Sequence, residues 1–237
     1  MDEIEWWEFD SAAEMAEQVA GDIGFVIESA VEAHGNARIA LPGAEIPEAV
    51  YKALLKQKDL DWSKVTLIPT DDRLVDGKDP LSHRGRLEGL FGAKGATVVP
   101  LVDGSALGDT REAGRLADAR LADIEWPLDL VVLGVGADGH TAAILPGPDF
   151  ERAVAGPKER RAIGIHPDPM PADAAVDRVT LTTAALASAR AVMVVLSGAE
   201  KRAVVERALQ EGPLSALPIG RVVAEMDAAI DIFWSAE

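Results

Sequence analysis

Near-continuous runs of branched apolar residues restrict the fold of this chain more than any other feature: "ARIALPG", "KVTLIPT", "ATVVPL", "LDLVVLGVG" and "RAVMVVLSG". A strand with one wet face alternates polar and apolar residues, whereas these runs hardly alternate, so both of their faces are buried. Amphipathic stretches separate them. Ser11 followed by Glu14 reads as a capping box, and Met15, Val19, Ile23, Val26, Ile27 and Ala30 share one face until Gly35, which predicts a helix over about 11–34. "IPEAVYKALLKQ" starts a helix with Pro47 at a favoured first position, "PLSHRGRLEGLFG" reads as another, an Arg- and Ala-rich helix falls near 109–123, and "SGAEKRAVVERALQ" carries its strand into a helix.

Strands buried on both faces and alternating with helices predict an α/β fold: a three-layer, doubly wound, mainly parallel sheet with helices on both faces. The 237 residues suit one domain spanning 1–237. No repeat or long linker interrupts it, and "GIHPDPMPADAAVDR" is expected to be a loop over a site rather than a domain boundary. Trp6 and Trp7 are expected to pack in the core.

Composition removes several function classes. No stretch of eighteen or more residues lacks charge, as a membrane span would require. "MDEIEWWEFD" lacks the basic start and small-residue cleavage site of a secretory signal, so a soluble cytoplasmic protein is expected. The absence of cysteine excludes disulfides and thiolate metal sites. A net charge of −17 argues against nucleic acid and anionic membranes as partners. Small anions remain compatible, because screening lets a few convergent cations act within about 10 Å. A monomer and a small homo-oligomer both fit.

Ligands of open parallel sheets bind beyond the carboxyl ends of the strands, so the residues that follow each strand should converge. These are Gly43; Asp71, Asp72 and Arg73; Asp138 and His140; and Gly198 with Lys201. In "GVGADGHTAAILPG", Gly134, Gly136 and Gly139 let the backbone turn tightly and approach a ligand, and a helix beginning near His140 would direct free amides at an anion. His140 is suited to general-base work near neutral pH. A G-x-G-x-x-G pattern is present at Gly134, Gly136 and Gly139, but a dinucleotide site is disfavoured by its place halfway along the chain and by the crowding of Asp138 and His140. Two carboxylates and an arginine in "PTDDR" could orient sugar hydroxyls or an anion. Arg178 precedes a strand, and Lys201 lies in the first turn of a helix, where a cation is disfavoured unless an anion shares the site.

In the order "LPGAEIP", "TDDRLV", "DPLSHRGR", "LGVGADGHTAAILPG", "DRVTLT" and "SGAEKRAVV", the chain resembles the 6-phosphogluconolactonase family, within a larger group that includes glucosamine-6-phosphate deaminases. The resemblance runs from about residue 5 to 234, and its most specific piece is Asp-Gly-His followed by "ILPG"; deaminases carry Phe-Asn-Glu-Pro there. It implies hydrolysis of 6-phospho-D-glucono-1,5-lactone to 6-phosphogluconate in the pentose phosphate pathway, without metal or organic cofactor. His140 would activate water, with Asp138 beside it. Asp71 and Arg73 match an acidic-Arg segment, Arg73 stabilising negative charge. Arg178 and Lys201 match a phosphate clamp, and Gly43, Ser82, Gly136 and Gly139 match substrate-contacting positions. Two departures stand out. The family's Gly-Gly-Ser-Thr-Pro type loop is replaced by Pro42, Gly43, Ala44, Glu45, Ile46, Pro47, so Glu45 is expected to point away from the phosphate and the clamp to lean on Arg178 and Lys201, with Arg84 or Arg86. His83 stands where the family shows asparagine. The competing readings are an amino-sugar-phosphate deaminase or isomerase, and a sugar-phosphate-binding module without catalysis.

Overall fold

The apolar runs form a seven-stranded parallel sheet in the order β1-β10-β9-β6-β2-β3-β5, comprising β1 (Ile4–Phe9), β2 (Ala37–Leu41), β3 (Val65–Pro69), β5 (Thr97–Val98), β6 (Leu130–Gly134), β9 (Val192–Ser197) and β10 (Ile230–Ser235). This computed structural model describes residues 4–44, 46–172 and 174–236. The helices are α1 (Ala12–His34), α2 (Glu48–Lys56), α3 (His83–Phe91), α4 (Thr110–Ala122), α5 (Phe150–Val154), α6 (Thr183–Ala187), α7 (Ala199–Glu211) and α8 (Pro218–Ala224).

Every residue of β6 is buried, and successive side chains enter opposite cores. Leu130 and Val132 pack with Met15, Ile23, Tyr51, Leu54, Leu87 and Phe91 beneath α1, α2 and α3. Val131 and Leu133 pack with Ala117, Leu121, Val205, Ala208, Ile219 and Val222 beneath α4, α7 and α8. Burying a large apolar side chain contributes about 1.5–3 kcal/mol, so a strand shared by two cores is a costly place for a polar residue. The capping box on α1 holds: the Ser11 hydroxyl accepts from the Glu14 amide, and Gly35 ends the helix at φ 87°.

A second, antiparallel sheet was not anticipated by the sequence reading. It runs β4-β8-β7, with β4 (Asp71–Arg73), β7 (Ala162–Ile165) and β8 (Arg178–Leu181). "DDR" is therefore a short strand rather than a loop after β3, and Arg178 is the first residue of β8. The tryptophans divide: Trp6 packs against the core as expected, and Trp7 does not. β1 is an edge strand, Trp7 is 41% exposed, and Trp6 is half-buried. Glu5, Trp7 and Glu8 are exposed on this strand.

The topology reverses between β2 and β6. From β2 the chain builds outward through β3 and β5, and from β6 it builds the other way through β9 and β10. The β2–β6 ladder stops at Ala40↔Val131, although β6 runs on to Gly134 and β2 to Leu41. The two strands part there, and such a switch point opens a crevice.

Candidate active site

A cleft occupies that crevice, about 550 Å³ including its open mouth, lined by Pro42 and Ala44 after β2, Asp71 and Arg73 of β4, His83 of α3, Gly134 and His140 after β6, Ala142, Leu145, Pro171 and Arg178. Four segments distant in sequence thus meet, together with the Pro-rich loop before β8.

His140 leaves a tight turn at the end of β6. Its carbonyl accepts from the Gly136 amide at 2.9 Å, and the Gly139 carbonyl accepts from Ile219 of α8 at 2.9 Å. Asp138 Oδ1 lies 2.5 Å from His140 Nδ1 and also accepts from the His140 amide at 3.1 Å. A carboxylate only accepts, so Nδ1 carries the proton and Nε2 is left as the basic nitrogen. Burial pushes the Asp138 carboxyl up, but the His140 hydrogen bond and charge outweigh it and hold the carboxyl below its ordinary value. Gly136 is required by close approach: a Cβ there would stand 2.3 Å from the His140 ring.

The expected helix at His140 is absent. Residues 138–147 form turns and a small Thr141↔Ile144 bridge, and the next helix, α5, starts at Phe150. Gly139 at φ 80° and Ala142 at φ 50° break helical geometry, and Pro146 follows, so no helix N-terminus faces the cleft from this segment. The turn is stapled instead. The Thr141 hydroxyl donates to the Gly134 carbonyl at 2.8 Å, and the Ala143 amide donates to Thr180 Oγ1 of β8 at 3.1 Å. His140 is thereby tied to the strand that begins with Arg178.

Arg178 is 4% exposed, and its two terminal nitrogens donate to the Val176 and Ala174 carbonyls at 2.9 Å each. Arg73 is its cross-strand partner. Asp71, 6% exposed, faces both. Burial would raise the Asp71 carboxyl, but the charges of His83, Arg73 and Arg178 and the contact with His83 hold it at about 2, so it is ionised in any ordinary buffer.

Other candidate positions lie elsewhere. Asp72 is buried away from the cleft and accepts from the His83 amide at 2.7 Å and the Arg84 amide at 3.1 Å, capping α3 from β4. Burial raises its carboxyl, against those two hydrogen bonds. Ser82 is a cap too: its hydroxyl accepts from the Gly85 amide at 3.0 Å, so it serves the helix rather than the cleft. Arg84 pairs with Glu88 at 2.8 Å, and neither it nor Arg86 lines the cleft. Lys201 is not a lining residue either. α7 starts beside β10, where the Gly198 amide donates to the Ser235 carbonyl at 2.9 Å. Gly43 flanks the cleft between Pro42 and Ala44, and the Tyr51 hydroxyl of α2 anchors that loop on the Pro42 carbonyl. Glu45 lies outside the described residues. His83, read from the sequence only as a departure, lines the cleft. Among the described residues no cluster of His, Asp or Glu is placed to hold a metal ion, and no helix is long and apolar enough to cross a membrane.

Comparison with known proteins agrees with this arrangement. The family described as glucosamine-6-phosphate isomerases/6-phosphogluconolactonase matches residues 10–234. A 6-phosphogluconolactonase of Rhizobium meliloti is 32% identical over 96% of this chain and 97% of its own length, and one of Mesorhizobium japonicum is 31% identical over 97% and 94%. The crystal structure of a 6-phosphogluconolactonase from Shewanella baltica superposes with a TM-score of 0.87 at 27% identity, covering 99% of both chains. With the Asp-Gly-His turn at the switch point and a family match that takes in nearly every element, the chain belongs to the glucosamine-6-phosphate isomerase/6-phosphogluconolactonase family.

Proposed function

We propose that this chain hydrolyses 6-phospho-D-glucono-1,5-lactone to 6-phosphogluconate, the reaction named for its full-length relatives. The observation that carries this reading is the Asp138–His140 pair sharing a cleft with Arg73 and Arg178. Lactone opening needs an activated water, a counter-charge for the oxyanion and an anchor at the far end of the substrate.

His140 Nε2 takes a proton from water as the oxygen attacks the lactone carbonyl carbon, and the Asp138 carboxylate stabilises the imidazolium that forms. The tetrahedral oxyanion collapses, the bond from that carbon to the ring oxygen breaks, and the imidazolium returns its proton to the departing alkoxide. Water is consumed and a carboxylic acid and a hydroxyl result. Arg178, held rigid on two carbonyls, anchors the phosphate, and Arg73 supplies positive charge for the oxyanion. Asp71 stays ionised and keeps both guanidiniums oriented. No covalent nucleophile is needed.

The deciding experiment is a coupled assay on freshly made 6-phosphogluconolactone, with spontaneous opening subtracted and His140→Ala as the control. Turnover lost in that variant is expected. Equal rates with and without the imidazole, or ammonia release from glucosamine 6-phosphate, would overturn the reading.

A further inference from the structure

His83 is the one cleft-lining imidazole that the proposed chemistry does not use. It is 5% exposed and forms part of the cleft wall. Its Nδ1 lies 2.9 Å from the Asp71 carbonyl oxygen, which only accepts, so Nδ1 carries a proton. Its Nε2 is buried and has no hydrogen-bond partner among the described residues. A buried nitrogen left without a partner is destabilising, and polar groups in that condition concentrate where a ligand supplies what the protein does not.

The surroundings fix the ring. Its face lies so close to the β2–α2 loop that a Cβ on Gly43 would stand 2.0 Å from the His83 Cγ and 2.2 Å from Cδ2. Its amide is held by Asp72 at 2.7 Å, and Nδ1 also lies 3.4 Å from the Asp71 carboxylate. The described part of that loop offers Pro42, Gly43 and Ala44, none with a polar side chain. Among the described residues on this side of the cleft, the imidazole is therefore the side chain able to make a directional polar contact with a ligand.

We propose that His83 Nε2 shares a hydrogen bond with a hydroxyl of the bound phosphosugar, making His83 a substrate-selecting residue of this cleft. The proposal rests on the lactonase reading. With Nδ1–H committed to the Asp71 carbonyl, Nε2 is the ring position left for a ligand, and a sugar hydroxyl serves it in either direction, since a hydroxyl both donates and accepts. Because the nitrogen is sealed from bulk water, little solvent competes for a hydrogen bond made there.

The test compares the unmutated protein with His83→Phe and His83→Asn. In His83→Phe the ring shape is kept and both nitrogens are lost; KM for 6-phosphogluconolactone is expected to rise about tenfold or more while kcat changes less than about threefold. Affinity for 6-phosphogluconate, read by calorimetry, should fall by the same factor, whereas inhibition by inorganic phosphate should be unchanged. His83→Asn, which keeps an acceptor on a shorter side chain, should recover part of the loss. In the unmutated protein, the His83 Nε2 nitrogen resonance should move on addition of 6-phosphogluconate and not on addition of phosphate alone. Product affinity unchanged in His83→Phe, a matching loss of phosphate inhibition, or a still Nε2 resonance would each overturn the proposal. Should the phenylalanine variant fail to fold, the resonance of the unmutated protein decides. If the unmutated protein hydrolyses the lactone and only these results fail, the lactonase reading stands without His83; if it neither hydrolyses the lactone nor binds the product, both fall.

Discussion

Arg73 and Arg178 stand directly opposite one another in the antiparallel β4–β8 pair, and both line the cleft. Like charges placed so are normally destabilising. Here the Asp71 carboxylate lies two residues along β4, and two loop carbonyls occupy the Arg178 guanidinium. In a chain of net charge −17, two guanidiniums and one carboxylate leave this part of the cleft locally positive, as the proposed phosphate anchor requires.

Arg178→Ala should raise KM for 6-phosphogluconolactone roughly tenfold to a hundredfold, the range for losing a charge-assisted hydrogen bond. Turnover of the unphosphorylated gluconolactone should change far less, because that substrate never used the anchor. The measurement is the ratio of kcat/KM for the two lactones. Equal losses on both would place Arg178 in loop support alone, through Ala174 and Val176.

Asp138→Asn should lower kcat by one to two orders of magnitude and leave KM nearly unchanged, since the carboxylate touches the base and not the substrate. The pH dependence carries a sign. The His140 charge lowers the Asp138 pKa, so by reciprocity the Asp138 charge favours protonated His140. Removing it should move the acid limb of the kcat profile to lower pH. A limb that stays in place would separate Asp138 from the base.

The sheet and the cleft were legible in the sequence because strands buried on both faces leave unbroken apolar runs, and the rule about strand ends then gathers Gly43, Asp71, Arg73 and His140 without further information. The small sheet was not legible. "DDR" and "RVTL" are too short to show a period, and their pairing is set by contacts about a hundred residues apart. Lys201 follows β9, which is flanked by β10 as well as β6, so its position after a strand does not by itself say which crevice it serves. Ser82 carried a signal that was passed over: a serine three residues before Gly85 at a helix start is a cap.

Asp72→Ala should destabilise the protein without altering the chemistry directly. It would strand the His83 and Arg84 amides, two donors at the start of α3, at a cost of about 1–3 kcal/mol, or several degrees in Tm. Asp72→Asn keeps one acceptor and should lose less. Thermal unfolding followed by circular dichroism gives the comparison; an alanine variant as stable as the unmutated protein would remove the capping role.

Asp71 and Asp72 adjoin each other, yet their contributions to stability should run in opposite directions with pH. The folded Asp71 carboxyl sits at about 2, below its unfolded value near 3.9, so its contribution is complete above about pH 4 and is lost as pH falls through 2. The folded Asp72 carboxyl is raised, so its contribution is present in acid and is lost as pH rises through the folded value. Asp71→Asn abolishes the first term and keeps the second. The unmutated protein should therefore lose stability between about pH 4 and 2 more steeply than Asp71→Asn does, when both are followed by urea unfolding at each pH. Parallel curves for the two proteins across that window would show that the ionised carboxyl of Asp71 is not held by His83, Arg73 and Arg178, and with it would go the electrostatic frame that keeps two opposed arginines in one cleft.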